Sequence, residues 1–491
     1  EGNEDVGVLD KLDDQVPSRF YWQLTLLATL GGFLFGYDTA NIGSALPVLP
    51  YKLGDFASGY LVAGASLGAA AGALCAGPLT DRFGRKSLLI IDAALYAIGS
   101  ILSAVTPNVA VLMIARTLIG LAIGADSAIA TAYIAEYAPR NRRGSLGMLQ
   151  QWMITVGILF AYIVALVIYR VAPGSAGDVG WRLIFGLGAV PALIGLVLRF
   201  EMPESPRWLL RKERWEDAKA AFAKLGTEVT VEELKRTGRK LEQVDAKEER
   251  RQSRGWSKGV KRALGVVCGF FVFQQITGIN VPLYFGPQLL GSYFQSGSST
   301  VDTTIAGVEV TAIMTVVNVA ATYFAFRFID KVGRRRLAVT GFGGMAVSAV
   351  IAGVGIGLLD GVPRIIVAMI GLDLFIASFA VGVGGTGWLI QGEYFPTAVR
   401  GQAAAIGATV DWLANYAVIE AFPAWQRSIG LGWVMICFAA LSVLAIVFVL
   451  MFVPETKGMS VEEITELFEQ QASSSGSRPA PRATAKTSVA T

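Results

Sequence analysis

Asp38 and Arg116 are opposite charges set inside long apolar stretches, where an ionisable side chain is expensive and therefore a functional suspect. A carboxylate whose distance from a guanidinium changes also changes its affinity for a proton, so a motion that parts the two would act as a proton switch. The plainer reading is a static pair that only fixes helix packing. The other polar side chains at mid-depth are neutral amides: Gln151, Gln274, Gln275, Asn280 and Asn318. Amides both donate and accept, which suits a ligand rich in hydroxyl groups better than full charges do; the alternative for any one of them is an interhelical hydrogen bond. Asp411 also stands in the middle of an apolar stretch, where it could accept from hydroxyls, bind an amine or other cation, or titrate. Asp126 and Asp373 are expected to make local helix-to-helix hydrogen bonds.

Holding such groups takes a membrane scaffold, and the composition supplies one. With 53% hydrophobic residues, 16% charged and a mean hydropathy of +0.52, most of the chain must face lipid or bury itself. A helix crosses a bilayer with about 20 apolar residues, and twelve such spans are predicted at 21–47, 58–79, 88–106, 109–134, 146–169, 182–202, 262–291, 304–329, 337–359, 363–393, 401–426 and 431–453. The first lacks a small-residue cleavage pattern and is read as a retained span. Loops at 80–87, 140–145, 205–262, 330–336 and 400 are basic, while those near 48–57, 107–108, 292–303 and 359–363 hold almost no Lys or Arg. The positive-inside rule places the basic set and both termini in the cytoplasm of a multi-pass cell-membrane protein. In that orientation Asp38 lies about 25 Å along an outward-running first helix and Arg116 about 10 Å from the outer start of the fourth, which brings them to similar depth.

Several function classes fall away. The net charge of +4 is small and scattered, which gives no nucleic-acid surface. Cys75, Cys268 and Cys437 sit in apolar stretches without neighbours at metal-ligand spacing, so packing explains them and no metal or cofactor is expected. No nucleotide loop or nucleophile constellation appears, which argues against an enzyme. Histidine is absent, leaving carboxylates to titrate near neutral pH.

Three signatures recur about 250 residues apart, the mark of two similar halves in a transporter built from repeats. Asp81-Arg-Phe-Gly-Arg-Lys86 returns as Asp330-Lys-Val-Gly-Arg-Arg-Arg336, Glu136 to Arg143-Gly144 returns as Glu393 to Arg400-Gly401, and Pro203-Glu-Ser-Pro-Arg207 returns as Pro454-Glu-Thr-Lys-Gly458. Asp81 and Asp330 are expected to cap helix starts, and Arg85, Arg143, Arg334 and Arg400 to meet Glu136 and Glu393 across helix ends. Such a network would latch the cytoplasmic side; topology-setting charges are the plainer alternative. The predicted organisation is a cytoplasmic segment at 1–20, a six-helix bundle at 21–204, a helical cytoplasmic linker domain at 205–261, a second six-helix bundle at 262–453, and a cytoplasmic helix with a disordered tail at 454–491.

These motifs, with Arg116-Thr-Leu-Ile-Gly120 and Gln274-Gln-Ile-Thr-Gly-Ile-Asn280, resemble the sugar porter family of the major facilitator superfamily from about residue 20 to 470. The resemblance implies an all-α membrane protein of twelve transmembrane helices in two pseudo-symmetric six-helix bundles with a small cytoplasmic helical domain. It also implies a monosaccharide site between the bundles, alternating access by rocking, and function as a monomer. The family's sugar contacts fall on Gln151, Gln274, Gln275, Asn280, Asn318 and Trp388, with Phe35, Tyr284, Phe379 and Trp412 as aromatic walls; Asp411 stands where the family usually has Asn or Gln. Phe35-Gly-Tyr-Asp38-Thr-Ala40 matches proton-coupled members, whereas passive ones commonly carry Asn at the acidic position. A bacterial member that moves xylose with a proton has a further Glu in the sixth span, where this chain has Gly within Trp181 to Gly188; plant hexose members manage with the Asp and Arg pair. Gly384-Gly-Thr-Gly387 lacks a Pro common in that span. Import of a hexose or pentose with a proton is therefore expected, beside a passive sugar or polyol uniporter, an amino-sugar or cation carrier, and a non-transporting sugar sensor.

Overall fold

A computed structural model describes residues 19–137, 143–240, 255–294, 299–457, 459 and 461–473, and among them every regular element is helical. The first half comprises α1 (Arg19–Ala28), α2 (Leu30–Ala45), α3 (Asp55–Phe83), α4 (Arg85–Val105), α5 (Val109–Tyr137), α6 (Arg143–Val171), α7 (Trp181–Gly186) and α8 (Ala189–Arg199). Between the halves lie α9 (Pro206–Arg211), α10 (Trp215–Lys224) and α11 (231–240). The second half comprises α12 (Lys258–Ile276), α13 (Asn280–Phe294), α14 (Thr300–Val332), α15 (Arg334–Leu358), α16 (Gly361–Gly382), α17 (Gly384–Glu393), α18 (Thr397–Ile429) and α19 (Leu431–Phe452), followed by α20 (Val461–Ser473).

Ten of the twelve expected spans are long and apolar enough to cross a membrane. The other two, 21–47 and 401–426, are helical as α1–α2 and α18 but more polar. Their polarity has a physical reason: nearly all of α2 is buried in protein, including Asp38, Thr39 and Asn41, and a helix shielded from lipid need not be apolar around its whole circumference.

Small residues set the tightest contacts. Gly68 and Gly72 of α3 face the backbone of Thr117 and Leu121 on α5, and Gly120 and Gly124 of α5 face the backbone of Ala65 and Ala69, so any side chain at these four sites would collide with the other helix. Repetition every four residues keeps the small residues on one face of each helix, and van der Waals contact replaces the hydrophobic drive that lipid cannot provide.

The repeated signatures build the same corner in each half. Gly84 (φ +91°) and Gly333 (φ +101°) separate consecutive helices in a backbone conformation closed to other residues. The freed helix starts are capped from the Pro-Glu motifs: Glu204 accepts from the Arg85 and Lys86 amides at 2.9 and 3.1 Å, and Glu455 from the Arg334 amide at 3.0 Å. The cap expected of Asp81 is thus supplied by Glu204; Asp81 lies in the last turn of α3 and pairs with Arg85 at 3.5 Å. Arg85 meets Glu136 at 2.9 Å and Arg334 meets Glu393 at 2.7 Å, each pair joining helices of one half. Arg400 Nε donates to the Phe395 carbonyl at 3.1 Å. The side chains of Arg143 and Asp330 lie outside the described residues.

Residues 205–240 share a core with the first half, where Trp208, Leu209 and Phe222 cluster with Leu88, Tyr133 and Ile134. On the second half α20 docks in the same way, with Phe468 against Tyr394 at 5.0 Å and Glu469 accepting from the Gly259 amide at 3.2 Å. Away from these basic corners, bonds run between the halves. Tyr162 donates to the Leu283 carbonyl at 2.6 Å, Asn415 to Ser66 at 3.0 Å, and exposed Arg170 pairs with Glu309.

Candidate functional site

The helix that begins at Lys258 stops at Ile276 because Gly278 takes φ +87°, and a second helix restarts at Asn280. This break turns Asn280 toward the last turn of α12, and a chain of amides follows. Asn280 Nδ2 donates to Gln275 Oε1 at 3.0 Å and to Asn415 Oδ1 at 3.2 Å; Gln275 Nε2 donates to Asp411 Oδ1 at 2.8 Å. Asn415 Nδ2 then crosses to Ser66 Oγ in the first half at 3.0 Å. Asp411 and Asn415 sit one turn apart on α18, which places both on the face that meets α12. Asp411, Gln275 and Asn415 are buried, so the network is polar, enclosed and shared between halves.

Gln274 points the other way. Its Nε2 donates to the Gly384 carbonyl at 3.3 Å, at the start of α17 just past a second break at Val383, and its Oε1 is buried without a partner among the described residues. The Oε1 lies over Gly387, so a side chain at that glycine would strike it. Aromatic rings flank the amides: Trp412 meets Phe35 edge-on at 4.9 Å across the halves, and Trp388 meets Phe271 at 5.2 Å. Trp412 Nε1 is a buried donor without a partner among the described residues. Unsatisfied amide and indole groups beside aromatic faces are what a hydroxyl-bearing ligand pairs with.

Asp38 and Arg116, 1% and 0% exposed, form an ion pair through Oδ1 and Nη1. Arg116 Nε donates to the Leu61 carbonyl at 2.9 Å, which anchors the cation to α3. Asp38 Oδ2 and Arg116 Nη2 are buried without a partner among the described residues. Breaking a buried pair strands an uncompensated charge at a cost of about 3–5 kcal/mol, and a proton on the acid removes that charge. Tyr284 is fully enclosed, and its hydroxyl is buried without a hydrogen-bond partner among the described residues.

Gln275, Asn280, Asp411, Trp412 and Phe35 are thus brought together, with Gln274 and Trp388 alongside. Asn318 is buried but receives Thr322 from its own helix at 3.5 Å, Gln151 is half-buried on α6, and Phe379 packs over Gly384. Asp126 makes more than the hydrogen bond expected of it, pairing with Arg199 Nη2 at 2.7 Å, and Asp373 Oδ1 has no partner among the described residues. Sequence reasoning missed Asn415, Ser66, Asp92 and Arg199. A signal existed for the first, four residues after Asp411, and for the last, a cation within apolar sequence just ahead of Pro203-Glu204.

The model of the family described as "Sugar (and other) transporter" matches residues 24–468. The chain is 35% identical over 453 residues to the arabinose-proton symporter of Bacillus subtilis, covering 91% of this chain and 94% of that protein. It is 33% identical over 500 residues to the D-xylose-proton symporter of Escherichia coli, covering 94% and 98%. The structure of the E. coli xylose transporter in a partially occluded inward open conformation superposes with a TM-score of 0.77 at 30% identity, covering 90% of this chain and all of that one. Those proteins are transporters and not enzymes, and with the duplicated corners, the broken helices and the central amides this chain belongs to the sugar (and other) transporter family of the major facilitator superfamily.

Proposed function

We propose that the protein is a secondary active transporter that imports a monosaccharide, a hexose or pentose, together with a proton by alternating access. The observation that carries this reading is that α3 touches both clusters: its Leu61 carbonyl accepts from Arg116 of the buried Asp38–Arg116 pair, and its Ser66 accepts from Asn415 of the network that also joins Gln275, Asn280 and Asp411. A sugar that recruits those amides pulls on the helix that anchors Arg116, so solute and proton occupancy become linked. The names of the arabinose and xylose relatives support the substrate class and the coupling ion.

In this reading all twelve helical segments cross the bilayer, the basic corners and both termini are cytoplasmic, and a monomer suffices. Residues 21–204 and 262–453 rock as two bodies. The ion networks Asp81–Arg85–Glu136 and Arg334–Glu393 stiffen the inner end of each body. Gln151, Gln274, Gln275, Asn280, Asn318, Trp388 and Asp411 contact the sugar, with Phe35, Tyr284, Phe379 and Trp412 as walls.

Proteoliposome uptake over a panel of neutral and amino sugars, with and without an inward pH gradient, tests the proposal. Accumulation of a neutral monosaccharide that collapses with a protonophore is expected. Equilibration without accumulation would establish a passive uniporter, and no carbohydrate movement at any pH would overturn transport of sugar altogether.

A further inference from the structure

A second buried charge cluster lies about two turns along α2 from Asp38, against Gly31 and Leu34. Asp92 of α4, Asp126 of α5 and Arg199 of α8 are 5%, 3% and 0% exposed. Arg199 is fully engaged: Nη2 to Asp126 Oδ1 at 2.7 Å, Nη1 to the Leu89 carbonyl at 2.5 Å and Nε to the Leu27 carbonyl at 3.4 Å. One carboxylate pairs with the guanidinium, and a second, Asp92, lines the same cavity. Asp92 Oδ2 and Asp126 Oδ2 are both buried without a hydrogen-bond partner among the described residues, and both acids line one small cavity with Gly31, Leu34, Ala93, Tyr96, Ala122 and Arg199. Asp126 Oδ2 occupies the place a side chain at residue 31 would take, so Gly31 leaves room for the oxygen.

Charge counting makes this arrangement incomplete. With both acids ionised the site keeps one uncompensated negative charge in a region where isolated charges are not tolerated. Two like acids in such a place share a proton. A hard metal cation is a poor alternative, because such ions gather about six to eight oxygens and the remaining lining here is mostly aliphatic. The ionisable groups that face the cavity are Asp92 and Tyr96 from α4, Asp126 from α5 and Arg199 from α8; α2 contributes only Gly31 and Leu34.

We infer that Asp92 and Asp126 hold one exchangeable proton between them, a second proton-binding site in the first half, separate from Asp38 and Arg116. The two sites are neighbours along α2, since Gly31 and Asp38 are separated by about 10 Å of helix. Tyr96 lines the cavity and donates to the Leu34 carbonyl at 2.9 Å, about one turn of α2 before Asp38. The assignment does not depend on which solute is carried.

Infrared spectroscopy of the full-length protein in lipid nanodiscs, with hydrogen–deuterium exchange to mark protonated carboxyl stretches, tests it. A deuterium-sensitive carboxyl band is expected near neutral pH that survives Asp38→Asn and disappears in Asp92→Asn, where Asp126 and Arg199 alone are neutral. Arg199→Gln should increase the band about twofold, because both acids then need a proton. A wild-type spectrum without the band, or a band unchanged in Asp92→Asn, overturns the assignment. Thermal stabilisation by sodium over choline in a protein lacking the band would replace the proton by a metal cation. Loss of sugar uptake with the band intact would count against the transport reading alone.

Discussion

The two halves share their corners and differ in their interiors. The first holds clusters of buried ionisable groups: Asp38 with Arg116, and Asp126 with Arg199 beside Asp92. The second instead holds buried amides, Gln274, Gln275, Asn318 and Asn415, beside half-buried Asn280, with Asp411 as the acid tied into their network. Where dielectric screening is low, a charge must be matched by a counter-ion or a proton, so the first half is sensitive to protonation. Neutral amides exchange hydrogen bonds at a net cost of about 1 kcal/mol each, so the second half suits reversible capture of a solute that must leave again.

The largest effect that would sharpen this division is expected from Asp38→Asn, which removes the acidic partner of Arg116. Concentrative uptake in proteoliposomes should vanish while sugar exchange without a gradient persists; retained accumulation would end the assignment of the proton to the first half. Next comes Gln275→Ala, which deletes the bonds to Asp411 and Asn280 and leaves the Asp411 carboxylate unpartnered by that amide. Lost bonds of about 1–3 kcal/mol in total correspond to an apparent KM raised on the order of 10–100-fold in counterflow, with energisation intact. Gly31→Ala should push Asp126 out of its place and destabilise the first half by about 1–3 kcal/mol, an overpacking cost visible in thermal unfolding. Asp411→Asn keeps an acceptor for Gln275, so the KM of a neutral sugar should move by less than about tenfold, one hydrogen bond's worth. A far larger loss confined to an amino sugar would shift charge recognition into the second half. The smallest effect belongs to Glu309→Gln: its pair with Arg170 spans the halves but is exposed, so thiol accessibility from the opposite side should change by no more than about 1 kcal/mol allows.

Much of this was legible along the chain. Matching depths from helical rise brought Asp38 to Arg116, and the Gln274 to Asn280 motif brought amides to a helix break. The capping role was misjudged because Asp81 and Glu204 both flank the same turn, and only the backbone path shows that Asp81 ends α3 while Glu204 reaches across to the Arg85 amide. Asp126 looked like a lone polar group because its partner is 73 residues away, on a helix whose rotation about its own axis leaves no trace in local spacing. Asn415 was hidden for the same reason, its bond to Ser66 joining opposite halves.

The sequence by itself determined the membrane setting, the duplication and the depth of each polar residue, because hydropathy, repetition and the fixed rise of a helix are one-dimensional properties. Only the tertiary structure decided which polar groups meet: Gln275 with Asp411, Asn415 with Ser66, and Asp126 with Arg199. Contact depends on how each helix is turned about its axis and how closely its glycines let a neighbour approach, and these are set jointly by all the helices packed around it.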